Sequence, residues 1–234
     1  MTYIWLIALF FIYSICPTWL IRLSSFRVQK RVKDGVALTF DDGPDPTYTA
    51  QLLDILKKYD VKATFFVVGW KAKAYPHLIK RMHEEGHTIG LHHYYHTSNW
   101  FLPPFVAEWE LHRSARIIEQ ITGVRPVYYR PPWGHINIWT LFMQKKYKTV
   151  MWTYILGDWN ASLGVARLYE RLTKSIEDGA IIVLHDSGST MGADQDAPAN
   201  MLQALERLLQ RTHVKWVKIG EEQRRTREWK RTAF

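Results

Sequence analysis

Hydrophobic positions divide the chain into stretches of different period. Residues 1–21 carry no charge, and the run over 4–13 is almost wholly apolar. As a helix this segment is roughly 30 Å long, the thickness of a bilayer's hydrocarbon core. Trp5 and Trp19 near its ends suit the membrane–water interface, and Pro17 lies close to the exit. The pattern predicts a membrane anchor over residues 1–21. A soluble surface helix would show a polar face. A cleaved signal peptide would open on a basic region and close on small residues, and neither is present. Cys16 follows Ile15, so a lipoprotein site is also a poor match.

Residues 22–33 contain Arg22, Arg27, Lys30, Arg31 and Lys33 without an acid, which reads as a juxtamembrane linker on anionic headgroups. Past Asp34 the period changes. Apolar runs at 36–40, 63–68, 88–91, 127–129, 149–154, 181–184 and 214–219 read as strands, β-branched or aromatic and without alternation. Helical periods fall between them, at 49–59, 77–85, 104–122, 137–146, 165–175 and 200–211. In the first of these, Leu52, Leu53, Ile55, Leu56 and Tyr59 share a face. Non-alternating strands separated by helices indicate an α/β fold with a parallel sheet covered on its outside. Repeated this often, the unit suits a barrel as readily as an open sheet. Residues 34–220 read as one domain without internal repeats, and 221–234 as a charged tail.

Composition narrows the class. A 47% hydrophobic and 14% aromatic content excludes a disordered or collagen-like chain, and 234 residues bury a core without crosslinks. A single cysteine excludes an intramolecular disulfide or a thiolate zinc cluster. The net charge of +9 suits an anionic partner only where it clusters. Residues 1–33 hold five Lys and Arg and no acid, 221–234 hold five against three, and 34–220 hold 21 against 19. The excess therefore points to lipid at the anchor, and no nucleic-acid motif accompanies it.

The chemistry collects just past the predicted strands, where parallel barrels carry their catalytic groups. There stand Asp41 and Asp42; His92, His93 and His96; Arg130; Asp158; and His185 with Asp186. His92 and His96, four apart, can aim at one point, and a carboxylate from Asp41 or Asp42 would complete a facial His₂Asp metal site with open positions. His77, His83 and His87 lack such a partner and read as structural. Each group has an ordinary alternative. Asp41 and Asp42 before Gly43-Pro44 are turn formers, Arg130 could be a surface ion pair and Asp158 a helix cap. His185, Trp133 and Trp159 could be core residues. Agreement at five strand ends weighs against these alternatives jointly.

The segments Thr39-Phe40-Asp41-Asp42-Gly43-Pro44, the His92-to-His96 pair, Arg130-Pro131-Pro132-Trp133-Gly134, Asp158-Trp159 and Leu184-His185-Asp186 resemble, in order, the five motifs of NodB-homology polysaccharide deacetylases, carbohydrate esterase family 4. The resemblance covers roughly 34–220. It implies a single distorted (β/α)7-type barrel after one N-terminal transmembrane helix. It also implies one divalent metal, commonly zinc with cobalt an alternative, used to remove N-acetyl or O-acetyl groups from glycans. By position, Asp42, His92 and His96 would bind the metal. Asp41 would be the general base, held by Arg130, and His185 the general acid, its pKa raised by Asp158. The Trp133 N–H, presented by Pro131 and Pro132, would face the oxyanion. Trp133, Pro132, Trp159 and Leu184 would contact substrate.

Departures from the family pattern bear on substrate choice more than on reaction type. His93 replaces a usual Ser or Thr and adds a possible competing ligand, and Thr97 stands where Pro is frequent. Trp133 replaces Tyr or Phe, Val183 a pocket-lining Leu, and Ile155 an upstream Asp. The resulting expectation is a deacetylase of N-acetylglucosamine-type sugars, such as peptidoglycan or a chitin-like oligomer. The alternative is a membrane-tethered glycan-binding protein with an idle metal site. The basic flank favours a cytoplasmic domain by the positive-inside rule, whereas a wall substrate requires the domain outside; the resemblance places it outside.

Overall fold

The computed structural model describes residues 2–143 and 145–221. The apolar N-terminal segment is helical throughout: α1 (Thr2–Phe10), a π-helical turn (Phe11–Ile15) and α2 (Cys16–Ser24). Pro17 cannot donate to the carbonyl four residues back, and the wider turn just before it absorbs that misfit. Tyr3–Ser24 is long and apolar enough to cross a membrane by length and composition.

The strands are β1 (Val28–Gln29), β2 (Val36–Asp41), β3 (Thr64–Val67), β4 (Thr88–Leu91), β5 (Tyr128–Tyr129), β6 (Lys148–Val150), β7 (Tyr154–Ile155), β8 (Ile181–His185) and β9 (Trp216–Val217). Every ladder between them is parallel. Their order is β1-β6-β5-β4-β3-β2-β8-β7, with β9 added beside β2. The connections carry α3 (Tyr48–Lys58), α4 (Gly69–Ala74), α5 (Pro76–Glu84), α6 (Pro104–Thr122), α7 (Ile138–Met143), α8 (Gly164–Lys174) and α9 (Ala197–Arg211).

Two apolar layers explain why the strands lack alternation. Leu38, Phe40, Phe65, Ile182 and Leu184 pack outward against Leu52, Leu56 and Leu205 of the helices. Ala37, Phe66, Val150 and Ile181 fill the concave side. Strand parity therefore sends Asp41, Val183 and His185 inward and Leu184 outward.

The sheet curls into a half-barrel instead of closing through one ladder. The run expected as a single strand at 149–154 is split: β6 pairs β5 and β1, and β7 pairs β8. Residues 151–153 bridge the two edges, Met151 N–H donating to Gln29 O at 2.8 Å and Thr153 N–H to Ile181 O at 2.9 Å. Serving both edges forces the break. The flanking strands at 127–129 and 214–219 are shorter than their apolar runs, and α4 was not visible as a separate helical period. Within the stretch expected as a linker, β1 joins the sheet, Val28 opposite Thr149 and Gln29 opposite Val150. The expected tail lies, from residue 222 onward, outside the described residues.

The N-terminal helix is also packed on this domain. Over residues 3–12 its large side chains are 40–81% exposed, but Ser14 and Thr18 are buried. Ser14 Oγ donates to Trp100 O at 2.8 Å. Thr18 Oγ1 donates to Ile136 O at 2.8 Å and accepts from Ile136 N–H and Trp100 Nε1 at 2.9 Å each. Ile21 packs on Ile136 and Met151.

Candidate active site

The C-terminal ends of β2, β4, β5 and β8 converge on one cleft of about 560 Å³, floored by Asp41, Asp42, His92, His96 and His185. A separate groove of about 590 Å³ beside α6 contains none of these residues. Adjacent strand residues normally face opposite ways, yet Asp41 and Asp42 both reach the cleft. The reason is a left-handed backbone at Asp42, φ 75°, which turns its carboxylate back. His96 and Trp133 share that conformation at φ 58° and 55°. Such positions cost non-glycine residues roughly 1–3 kcal/mol each, a strain found at functional sites. Gly43 follows because a Cβ there would lie 2.3 Å from Asp186 Oδ2.

Asp42, His92 and His96 bring one ligand atom each to within 4.8 Å of one another, and all three are largely buried. His92 Nδ1 lies 2.8 Å from Arg130 O. Donating there leaves its Nε2 as a free lone pair, the form that binds a metal. That Nε2 faces Asp42 Oδ1 at 3.3 Å, and His96 Nε2 faces it at 3.0 Å. Asp42 Oδ1 is itself buried without a hydrogen-bond partner. Two imidazole nitrogens and an orphaned carboxylate oxygen converging this way fit a divalent cation. Burial alone would raise Asp42, but the facing His92 and His96 imidazoles and, beyond them, His185 hold its carboxyl well below the usual carboxylate range. Burial lowers His96, against the pull of the Asp42 carboxylate. Thr190 Oγ1 donates to Asp42 Oδ2 at 2.5 Å, and Lys71 Nζ to Asp42 O at 2.7 Å.

Asp41 stands apart from this trio. Arg130 NH1 reaches its Oδ1 at 2.7 Å and Thr39 Oγ1 at 2.8 Å. The same guanidinium donates to Val150 O and Met151 O, at 3.2 and 3.1 Å. Arg130 is fully buried over the Phe66 ring, so it is not the surface ion pair its sequence context allows.

Asp158 holds His185 twice, through the backbone N–H at 2.6 Å and through Nδ1 at 3.0 Å. Burial would lower this imidazole, but the Asp158, Asp42 and Asp41 carboxylates outweigh it and push it up to about 10. Trp159 meets the His185 ring edge-on at 5.5 Å, and Trp133 meets His96 at 4.4 Å. Both tryptophans line the cleft.

Two expected substrate contacts are placed elsewhere. Leu184 faces outward and is buried in the helix-side core, and Val183 occupies the cleft wall instead. Pro132 is buried next to Trp133 and does not line the cleft. His93 is not a competing ligand. Its Nε2 meets Tyr129 OH at 2.7 Å and its Nδ1 lies 3.3 Å from Glu110, whose Oε2 also accepts from Tyr94 and Tyr95 N–H. This network, with Ser98 on His135 and Asn99 on Tyr129, supports the loop that carries Thr97. His87, read as structural, accepts from Ala63 N–H at 3.0 Å, and burial lowers it to about 4. Sequence reasoning missed Thr190 and Lys71 around Asp42, and Arg22 and Lys30 in the cleft wall.

The sequence matches the family model described as polysaccharide deacetylase over residues 29–152. The chain belongs to this family, whose members are metal-dependent and whose curled half-barrel is the fold described above. It is 35% identical over 176 residues to a peptidoglycan-N-acetylglucosamine deacetylase of Bacillus cereus, covering 74% of this chain and 82% of that one. It is 38% identical over 169 residues to the peptidoglycan-N-acetylmuramic acid deacetylase PdaA of Bacillus subtilis, covering 70% of this chain and 64% of the relative. The crystal structure of the Bc1960 peptidoglycan N-acetylglucosamine deacetylase superposes with a TM-score of 0.73 at 27% identity, covering 85% and 94% of the two chains.

Proposed function

We propose that the protein is a metal-dependent hydrolase that removes acetyl groups, N-acetyl foremost, from an N-acetylglucosamine-type polysaccharide or oligosaccharide. The observation that carries this reading is the convergence of three unlike groups on one cleft. These are a His₂-carboxylate donor set, a second carboxylate held separately by Arg130, and the His185 imidazole held by a third carboxylate, Asp158. A divalent cation such as zinc or cobalt, bound by Asp42, His92 and His96, would polarise an acetyl carbonyl and acidify water. Asp41, oriented by Arg130, takes the proton of the attacking water as its oxygen bonds to the acetyl carbon. His185 gives its proton to the nitrogen as the C–N bond breaks, releasing acetate and a free amine. Asp158 keeps that proton on the ring at neutral pH. The Trp133 N–H is assigned to the developing oxyanion, and the Trp133 and Trp159 rings to the faces of a sugar.

The relatives' names support a cell-wall glycan as substrate. The matching location is a single-pass membrane anchor with the catalytic domain outside the cytoplasm. The basic flank bears less against this orientation than its composition indicates, since Arg31 pairs with Glu177 and Lys30 caps α2 through Ile21 O and Arg22 O. The test is acetate release from an N-acetylglucosamine oligomer by the full chain in detergent. Release that stops with a chelator and returns with zinc or cobalt is expected. Saturable oligosaccharide binding by the loaded protein without release would instead favour the glycan-binding alternative.

A further inference from the structure

The docked N-terminal helix brings two cations into the catalytic cleft. Arg22, in the last turn of α2, and Lys30, just after β1, line the same cavity as Asp41, Asp42 and His185. Their placement is fixed by the helix. Thr18, one turn before Arg22, is clamped to Ile136 and Trp100 by three hydrogen bonds, and Ile21 packs on Ile136 and Met151. Arg22 NH2 lies 3.3 Å from Trp133 O.

Charge in the cleft is unevenly spent. Asp41 is paired with Arg130, Asp158 with His185, and Asp42 with His92, His96 and Thr190. Among the described residues no carboxylate pairs with Arg22 or Lys30. The carbonyls that end α2 would repel an anion, but Lys30 Nζ satisfies Ile21 O at 3.1 Å and Arg22 O at 2.5 Å. Lys30 therefore neutralises the helix end, and Arg22, exposed on the cleft wall, keeps the guanidinium donors that its bond to Trp133 O does not use. Burial first and the neighbouring Arg22 charge second pull Lys30 below its usual value, a penalty that an anion beside the two would relieve.

We infer that Arg22, supported by Lys30, forms a subsite for a carboxylate carried by the glycan next to the acetylated sugar. The inference rests on the deacetylase reading above and adds to it the residues that select an acidic over a neutral neighbouring sugar. A carboxylate is the anion that matches a guanidinium with two parallel hydrogen bonds, and such pairs are roughly twice as strong as neutral ones. The subsite lies at residues 22 and 30, which the expected anchor and linker had assigned to lipid headgroups.

The test uses the full chain in detergent, loaded with zinc, on two probes. One is strands of alternating N-acetylglucosamine and N-acetylmuramic acid, stripped of peptide, with their lactyl carboxylates free. The other is the same strands with those carboxylates converted to methylamides. The quantity read is the ratio of kcat/KM on the acid to kcat/KM on the amide at low ionic strength. The expected ratio is about ten or more, since a hydrogen-bonded charge pair at a partly exposed site is worth on the order of one decade. It should shrink with added salt, fall toward one in Arg22→Gln, and be partly kept in Arg22→Lys, which retains charge but not the fork. A wild-type ratio near one overturns the inference, as does an Arg22→Gln variant that slows both probes equally, which would mark Arg22 as a support of the Trp133 loop. So does a variant with an unchanged ratio but weaker retention on anionic vesicles, which would return Arg22 to the membrane surface. Absence of acetate from both probes in the loaded wild type would count against the deacetylase reading itself.

Discussion

Removing Arg130 should destabilise the fold through Asp41 and not merely slow the reaction. Arg130 is the largest of the fully buried side chains, and its guanidinium serves Asp41, Thr39, Val150 and Met151 at once. Arg130→Met keeps the approximate length of the side chain but leaves the Asp41 carboxylate, 4% exposed, without its countercharge. Breaking a buried pair from one side costs about 3–5 kcal/mol, because the other charge stays buried and uncompensated. For a chain of this size each kcal/mol moves Tm by roughly 2–4 °C, so a fall of about 6–20 °C is expected. Asp41→Asn removes the charge that the first variant strands. The double variant should therefore recover part of the loss, with a coupling of about 2–3 kcal/mol across the cycle. The assay is reversible denaturant unfolding of the four proteins in one detergent at fixed metal concentration. Arg130→Met within about 1 kcal/mol of wild type, a loss typical of an ordinary substitution, would refute the reasoning. So would strictly additive single variants.

Three further outcomes follow from the geometry. His185 acts as an acid and must be protonated, so wild-type activity should persist on the alkaline side to about pH 10. In Asp158→Asn the foremost of the three carboxylates that offset burial is gone and the alkaline limb of kcat/KM should move to lower pH; a limb that stays in place would remove Asp158 from this role. Thr18→Val leaves both backbone groups of Ile136 and the Trp100 indole without their side-chain partner, a loss of about 1–3 kcal/mol. Unfolding curves should show that loss, and Thr18→Ser should restore it; an unchanged midpoint would mean that the helix is not docked in solution. Leu184→Ala should cost about 2–5 kcal/mol of stability as a core deletion. Val183→Leu should instead change kinetics on acyl groups of different size, and the reverse pattern would invalidate the inward–outward assignment along β8.

The site was more legible in the sequence than the fold around it. Asp41, Asp42, His92, His96, Arg130, Asp158 and His185 each follow an apolar run, and the parallel register of β2, β3, β4, β5, β7 and β8 carries them to one end. Strand parity was the weaker inference: an apolar run without alternation does not reveal which of Val183 and Leu184 faces inward. Position 93 could not be resolved for the same reason, since the φ of 61° that turns His93 into the core is set by the loop and by Glu110 on α6. The division of 149–154 into two strands depends on which edges the chain must join, a tertiary fact with no local signal. The docking of α2 was hidden because Ser14 and Thr18 look like ordinary polar residues in an apolar helix; their partners, Trp100 and Ile136, are more than 80 residues away.

Acetate release by Asp41→Asn, measured beside wild type at matched metal content on an N-acetylated glycan, tests the central claim most directly. The two carboxylates have separate duties, Asp42 in the metal donor set and Asp41 as base on Arg130. The variant should therefore keep its metal and lose release by about 10²–10⁴-fold, the usual contribution of a positioned general base. Retained release, or metal lost in step with activity, would contradict it.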